Sequence, residues 1–579
     1  MKNKNYKAII PVLLSMLVLL FACQKSYLEV PAYGALSPSD VTNKTVVGGI
    51  LVGAYSLLDG QGASGTSIGP WVTSSDNWVY GSVAGGDAHK GSDPGDQNLI
   101  TPIEQWNAAS ANAFLDGVWS ARYDGVQRAN EAIRLMRQAT DMSSADTIQV
   151  GAEARFLRAH YHFELRKMFG KVPWIPEDIT YVAKNYLVAN STDILPNIEE
   201  DFRYAYTNLP DSTQKGRANK WAAASYLAKT LVWEKKWAEA KTLLTLIIDK
   251  GVTASNVKYT LQSKFPDVFN AAYKNSSESI FAVQMFVNDG TGGANANNGD
   301  GLNFPYGGGS QTGCCGFYQP SFSLANSYKV DAAGLPLFDT YNNQDLKNDY
   351  GIASDQPYVP DMVTPIDPRI DWTIGRRGIP FLDWGIMAGK DWIRNQAAGG
   401  PYEGMKHMFY KSQIGTYTDA SAWTLGFTAN NYVIIRYADI LLLAAEAEAE
   451  VGSLATAMGY VNQVRARAAN PAGFVQGSVA NYKIGLYTAF PDAAFARKAI
   501  QFERKLELAM EGHRFFDLTR WGINAQELDP YAAHENKSGY TSMNNVTFKA
   551  GHEYLPIPQN QIDKSVQGGT SVLTQNPGY

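Results

Sequence analysis

Asp76, Asn77 and Trp78 are consecutive in a long stretch rich in Gly, Ser and Asp, and together they offer a carboxylate, an amide and an indole face. A neutral sugar presents pairs of adjacent hydroxyls and one apolar ring face. Its site therefore needs an aromatic platform beside planar groups that bond two hydroxyls at once. The triplet supplies the platform and two such groups, and Arg376-Arg377 offers a guanidinium fork. Tyr306, Tyr318 and Tyr402 are further aromatic candidates on stretches without helical or strand period. The same residues also have a structural reading, a buried Trp with Asp and Asn capping a turn and a salt-bridged arginine pair, and both readings stay open here.

Other chemistry finds little support. Asp76, Asp87, Asp93 and Asp96 could gather around Ca²⁺, but their spacing lacks the order of an EF-hand loop. His89-Lys90-Gly91-Ser92 has no glycines ahead of it to cradle a phosphate, and the seven His include no HExxH pair. A GxSxG elbow is absent. No metal and no cofactor are expected. Two facing carboxylates of a glycosidase would leave no sequence trace, so that class stays open. A net charge of -5 and a pI near 5.9 argue against nucleic acid, which needs a concentrated basic face.

Lys2, Lys4 and Lys7 precede an apolar run from Ala8 to Ala22 that ends at Cys23. A basic start, a short apolar core and a small residue before the cut form an export signal, and about fifteen residues fall short of the roughly 20 needed to span hydrocarbon. Leu20-Phe21-Ala22-Cys23 resembles a lipobox. The reading is a signal peptide over 1–22, a lipid anchor on Cys23 and an extended tether over 23–40. Of three cysteines this leaves the adjacent Cys314 and Cys315. In an exported protein two neighbouring thiols can close a vicinal disulfide, either as a local turn staple or as a flat sulfur surface against which a sugar ring rests.

The elements that must position these groups are mostly helices. Apolar positions recur at helical spacing over Val41 to Leu58, Ala113 to Ala139, Gly151 to Phe169 and Ile194 to Leu209. A pair follows over Lys220 to Ile248, with a turn around Lys235-Lys236, and Tyr437 to Ala469 repeats the scheme around Gly452-Ser453. Alanines at the crossings with a large aromatic at each end resemble tetratricopeptide helix pairs. Gly60 to Gln105 reads as a long exposed functional loop, and Gly251 to Asn430 as a large irregular insertion. Within that insertion Asn288 to Pro320 holds too much Gly and Asn to be core. Late in the chain, Gln501 to Gly522 carries Phe502, Leu506, Ala509, Met510, His513 and Phe516 on one helical stripe, with Glu511, Arg514, Asp517 and Arg520 spaced to pair on the other face.

That last stretch, QFERKLELAMEGHRFFDLTRWG, resembles the C-terminal signature of the SusD/RagB family, surface glycan-binding lipoproteins that work beside a TonB-dependent transporter. RYADILLLAAEAEAEVG (Arg436 to Gly452) and VNQVRARA (Val461 to Ala468) fit the same family in order. The resemblance implies a mainly α fold, a tetratricopeptide-like helical scaffold over about 41–250 and 431–522, a loop-rich ligand-facing insertion over about 251–430 and an ordered tail over 523–579. It further implies a lipid-anchored location on the outer membrane at the cell surface and a SusC-like transporter as partner. In such proteins an N-terminal aromatic loop combines with the insertion, so Trp78, Cys314-Cys315 and Arg377 are expected to converge, with Tyr306 and Tyr402 near them. One Trp and a vicinal disulfide would suit a small puckered unit such as a furanose, which makes a fructan the expected ligand.

Three functions follow in order. The first is capture of an oligosaccharide or polysaccharide without chemistry and its delivery to the transporter. A helical glycoside hydrolase or lyase is the second, and a peptide-binding helical-repeat scaffold the third.

Overall fold

The computed structural model describes residues 42–60, 69–308, 310 and 312–579. The export signal, Cys23 and the tether lie outside the described residues. Helix α1 (Lys44–Ser56) starts where the Asn43 side chain accepts the Val46 N–H at 3.0 Å. Helices α2 (Ala113–Gln138) and α3 (Ser144–Phe169) follow, and α3 begins well ahead of the expected Gly151 because Ser143 and Asp146 form a reciprocal capping box. Next come α4 (Leu195–Asn208), α5 (Lys220–Trp233) and α6 (Trp237–Lys250), the last two divided at Lys235 by a left-handed backbone conformation. Each helix packs on the next, and fully buried Ala222, Ala223, Ala224 and Ala228 let α5 approach its neighbours closely.

After the insertion the scaffold resumes with α7 (Tyr437–Val451), which packs on α6, on α8 (Leu454–Ala468) and on α9 (Ala493–Glu507). The Gln501 to Gly522 stretch is not one helix. It breaks over Leu508 to His513, where Met510 and Gly512 take positive φ, and restarts as α10 (Arg514–Trp521). Tertiary partners take over the hydrogen bonds that helix would have made: the Met510 N–H donates to Asp87 at 3.1 Å and the Gly512 N–H to Ser82 at 3.0 Å. A further helix, α11 (Asn524–Ser538), occupies the start of the tail.

Strands are few and short. β1 (Ala88–Gly91) pairs antiparallel with β3 (Phe317–Pro320), placing His89 opposite Gln319. β2 (Ser279–Val283) pairs antiparallel with β4 (Tyr432–Arg436), so the two ends of the insertion are tied together at the scaffold. One hydrophobic cluster runs from Val47 to Leu573, and a smaller one, centred on Phe304, Phe381 and Phe409, stiffens the insertion.

The described part of the Gly60 to Gln105 stretch is largely not an exposed loop. Residues 72–92 are buried throughout, and a π-helical turn over Trp78–Val83 runs beneath the break in the late signature. A Cβ at Gly81 would collide with the Gly512 carbonyl, so the glycines that read as loop punctuation are there for close backbone packing. Much of Asn288 to Pro320 is interior as well: Asn297, Asp300, Asn303 and Phe304 are buried, their polar groups bonded among themselves.

Candidate functional site

The burial of this stretch relocates most of the expected site. Trp78 is 1% exposed, with its ring 5.5 Å from Tyr318, 6.1 Å from Trp71 and 6.2 Å from Phe317. Asn77 is buried in a left-handed conformation and donates to Glu164 at 2.9 Å. Asp76 is buried too. Its carboxyl accepts the Trp78 N–H at 3.3 Å, and desolvation together with the nearby Asp300 charge pushes its pKa up to about 7. These three residues form an interior turn in which Asp76 caps, Asn77 ties the turn to Glu164 and Trp78 packs.

The arginine pair is structural in the same sense. Arg376 grips Asp371 at 2.7 and 2.9 Å, while Arg377 donates to the carbonyls of Ala353, Ser354 and Gln356. Its donors are occupied by backbone. Tyr402 and Tyr318 are 2% exposed, Tyr402 packing edge-on against Phe322. A ligand at the surface meets none of Asp76, Asn77, Trp78, Arg377 or Tyr402 in this conformation.

Three of the expected residues do stand together at the surface. Cys314 and Cys315 are joined by a disulfide across a cis peptide and are half-buried. The Cys315 N–H donates to Leu302 at 2.7 Å and the Gly316 N–H to Phe304 at 2.9 Å, so the sulfur turn is pinned between a residue of the main cluster and one of the smaller. Tyr306 keeps 44% of its exposure. Gly316 sits where a Cβ would touch both Tyr306 and Arg394, which places the tyrosine and the disulfide turn side by side.

Arg394 completes this patch and was not foreseen. Its guanidinium lies 5.4 Å from the centre of the Tyr306 ring, and it bonds Asp93, Asp96 and the Ser92 hydroxyl, each at 2.7 Å. Asp93 and Asp96, weighed above as calcium ligands, are thus held by one arginine, and Lys90 fastens their backbone carbonyls at 2.7 and 2.8 Å from below. Among the described residues no group of three or more His, Cys, Asp or Glu is placed to hold a metal ion. Trp423, 64% exposed and edge-on to Phe427, projects from a loop whose Gly426 abuts Phe304 and Gly313. A lone Trp in TDASAWTLGFTANN was the available signal for it, since an indole gains nothing in a polar loop unless it packs or binds. Nothing in the sequence around Arg394 marks it.

Chemically the patch offers a tyrosine ring backed by a cation, an exposed indole on the adjoining loop, a sulfur surface, and carboxylates and a guanidinium already oriented by one another. It can stack on an apolar ring face and bond adjacent hydroxyls. These are properties of a binding face on a helical-repeat scaffold.

Comparison with known proteins places that scaffold. The SusD family model matches residues 277–579, and a second model, described as starch-binding associating with outer membrane, matches residues 26–231. The chain belongs to the SusD family. A SusD-like protein of Formosa agariphila is 26% identical over 494 residues, covering 80% of this chain and 81% of its own. A SusD superfamily structure from Bacteroides vulgatus superposes with a TM-score of 0.66 at 20% identity over 93% of this chain and 99% of its own. Surface glycan-binding protein A from Bacteroides thetaiotaomicron, solved with laminarihexaose, superposes with a TM-score of 0.61 at 20% identity over 92% and 100%. Among the described residues no helix is long and apolar enough to cross a membrane.

Proposed function

We propose that this protein captures a neutral polysaccharide at the cell surface, without chemistry, on the patch formed by Tyr306, Cys314-Cys315, Arg394 and Trp423, and delivers it to a TonB-dependent, SusC-like transporter. The observation that carries the reading is the juxtaposition of an exposed tyrosine, its arginine and the disulfide turn on the loop-rich side of the scaffold. Membership of a family whose second matching model is described as starch-binding supports a glycan as the ligand. So does the relative solved with laminarihexaose, a glucan. A fructan remains the preferred ligand, because a small half-exposed sulfur and tyrosine platform matches a puckered furanose better than an extended pyranose ribbon; β-1,3-glucan is the runner-up. Lipidation of Cys23 after removal of residues 1–22 would hold the body at the outer membrane.

Calorimetric titration of the chain lacking residues 1–23 against inulin, laminarin, starch and xylan tests this. One class binds without release of reducing ends, and Tyr306→Ala and Trp423→Ala each weaken it about tenfold, the size of a lost stacking contact. Reducing ends released in proportion to protein would establish the hydrolase instead. Binding that both variants leave intact would move the site elsewhere.

A further inference from the structure

A second cleft lies on the helical scaffold and shares no residue with the loop-rich patch. Its volume is about 220 Å³, below the roughly 300 to 1,000 Å³ of pockets that enclose whole drug-sized ligands, so it has room for one unit of a larger molecule. Trp237, at the start of α6, and Trp521, at the end of α10, both line it. Both indoles are half-buried.

The charges in this cleft are nearly all spoken for. Arg520 bonds both oxygens of Glu446 at 2.6 Å, and the Trp521 indole N–H donates to the same carboxylate at 3.2 Å. Arg497 forks onto Glu450 at 2.5 and 2.8 Å. The two compensated pairs contribute little net field, and a fixed guanidinium and carboxylate are good partners for hydroxyls. Two lining side chains, Lys235 and the amide of Gln501, make no hydrogen bond with any described residue, and Lys235 acts on Glu450 only through its charge. Their donors are open to a ligand.

We propose that this cleft is a second carbohydrate subsite, which takes one neutral sugar ring against Trp237 and Trp521 and bonds its hydroxyls through Lys235, Gln501 and the Arg497-Glu450 pair. It rests on the reading of the chain as a carbohydrate binder but not on the loop-rich patch. Two separate subsites that one long polysaccharide can span hold it more tightly than either alone by raising its local concentration.

The test labels the whole soluble chain with 5-fluorotryptophan and assigns the Trp237 and Trp521 resonances by single Trp→Phe variants. Laminarihexaose and an inulin-type oligosaccharide are then titrated into the parent chain and into a Tyr306→Ala/Trp423→Ala double variant. The proposal expects one of these sugars to shift both resonances in both proteins. Lys235→Ala with Gln501→Ala, surface changes that leave the fold intact, weakens that shift about tenfold. If neither sugar moves Trp237 and Trp521, the cleft is overturned whatever happens at the loop-rich patch. Movement caused only by an acidic peptide would overturn it too, in favour of a peptide groove. Loss of every response in the double variant would likewise sink it, assigning all binding to the patch.

Discussion

Glu507 shows how single residues hold this fold. It is fully buried and shared by Arg369 at 2.9 Å, Arg436 at 2.6 Å and Arg467, so one carboxylate joins the insertion to the scaffold. Removing its charge leaves three buried cations short of a partner, and Glu507→Gln should lower stability by about 3 to 5 kcal/mol in urea unfolding. Glu511 and Asp517 follow the same logic. Burial alone would raise them, but Arg436 and Lys406 around the first and Arg504 and Arg520 around the second hold each down near a pKa of about 2. Their unfolded values lie near 4, so their contribution is complete above about pH 5 and lost as pH falls towards 2; the urea midpoint should fall over that range. His89 acts on the alkaline side. Burial favours its neutral form, yet bonds to Glu104 at 3.3 Å and Glu535 at 2.9 Å raise its pKa to about 9. That contribution is complete below about pH 6.5 and lost as pH rises through 9. The melting temperature should decline between those values in the parent and less steeply in His89→Gln.

Among the elements, two glycines of opposite character separate packing from propensity. Gly81 lies in the π-helical turn beneath the broken signature, where a Cβ would strike the Gly512 backbone. Gly81→Ala must push two backbone segments apart, and a loss of about 1 to 3 kcal/mol in chemical unfolding is expected. Gly49 sits in α1 with nothing within 4 Å of where its Cβ would be. Gly49→Ala should instead stabilise by about 0.5 to 1 kcal/mol, because the helix then loses less backbone entropy on forming. A destabilised Gly49→Ala would mean that this face of α1 is covered in solution.

For the whole molecule, the main hydrophobic cluster draws on side chains from Val47 to Leu573, and the insertion is fastened to it by the β2–β4 ladder and by Arg369 and Lys406. Lys406 reaches the Glu507 and Ala509 carbonyls at 2.9 and 2.7 Å and Glu511 at 2.6 Å, deep within the signature break. Such cross-links leave no piece with a core of its own large enough to unfold separately. Circular dichroism, which reports the helices, and fluorescence of a variant that keeps only the insertion tryptophans Trp372, Trp384, Trp392 and Trp423, should therefore give coincident thermal transitions. Two separated transitions would show that the insertion is an independent unit.

The helical scaffold was legible in advance because its signals are local. Asn43, Ser143 and Asn219 cap helices within three residues of themselves, alanines mark the crossings, and Gly452-Ser453 marks a turn. The late signature was legible as a family mark but not as a shape, since its break depends on Asp87 and Ser82 more than 400 residues away. The site was the least legible part. Tyr306 and the Cys314-Cys315 pair were named from residue type and do reach the surface, whereas Asp76-Asn77-Trp78 and Arg376-Arg377 have the same types as a sugar site but serve the interior. The sequence by itself determined the helices, their caps and their order, because these rest on contacts a few residues apart. Only the tertiary structure decided which aromatic and polar groups face water, because burial is set by distant segments, and the same glycines serve a loop in solvent or a backbone packed against another.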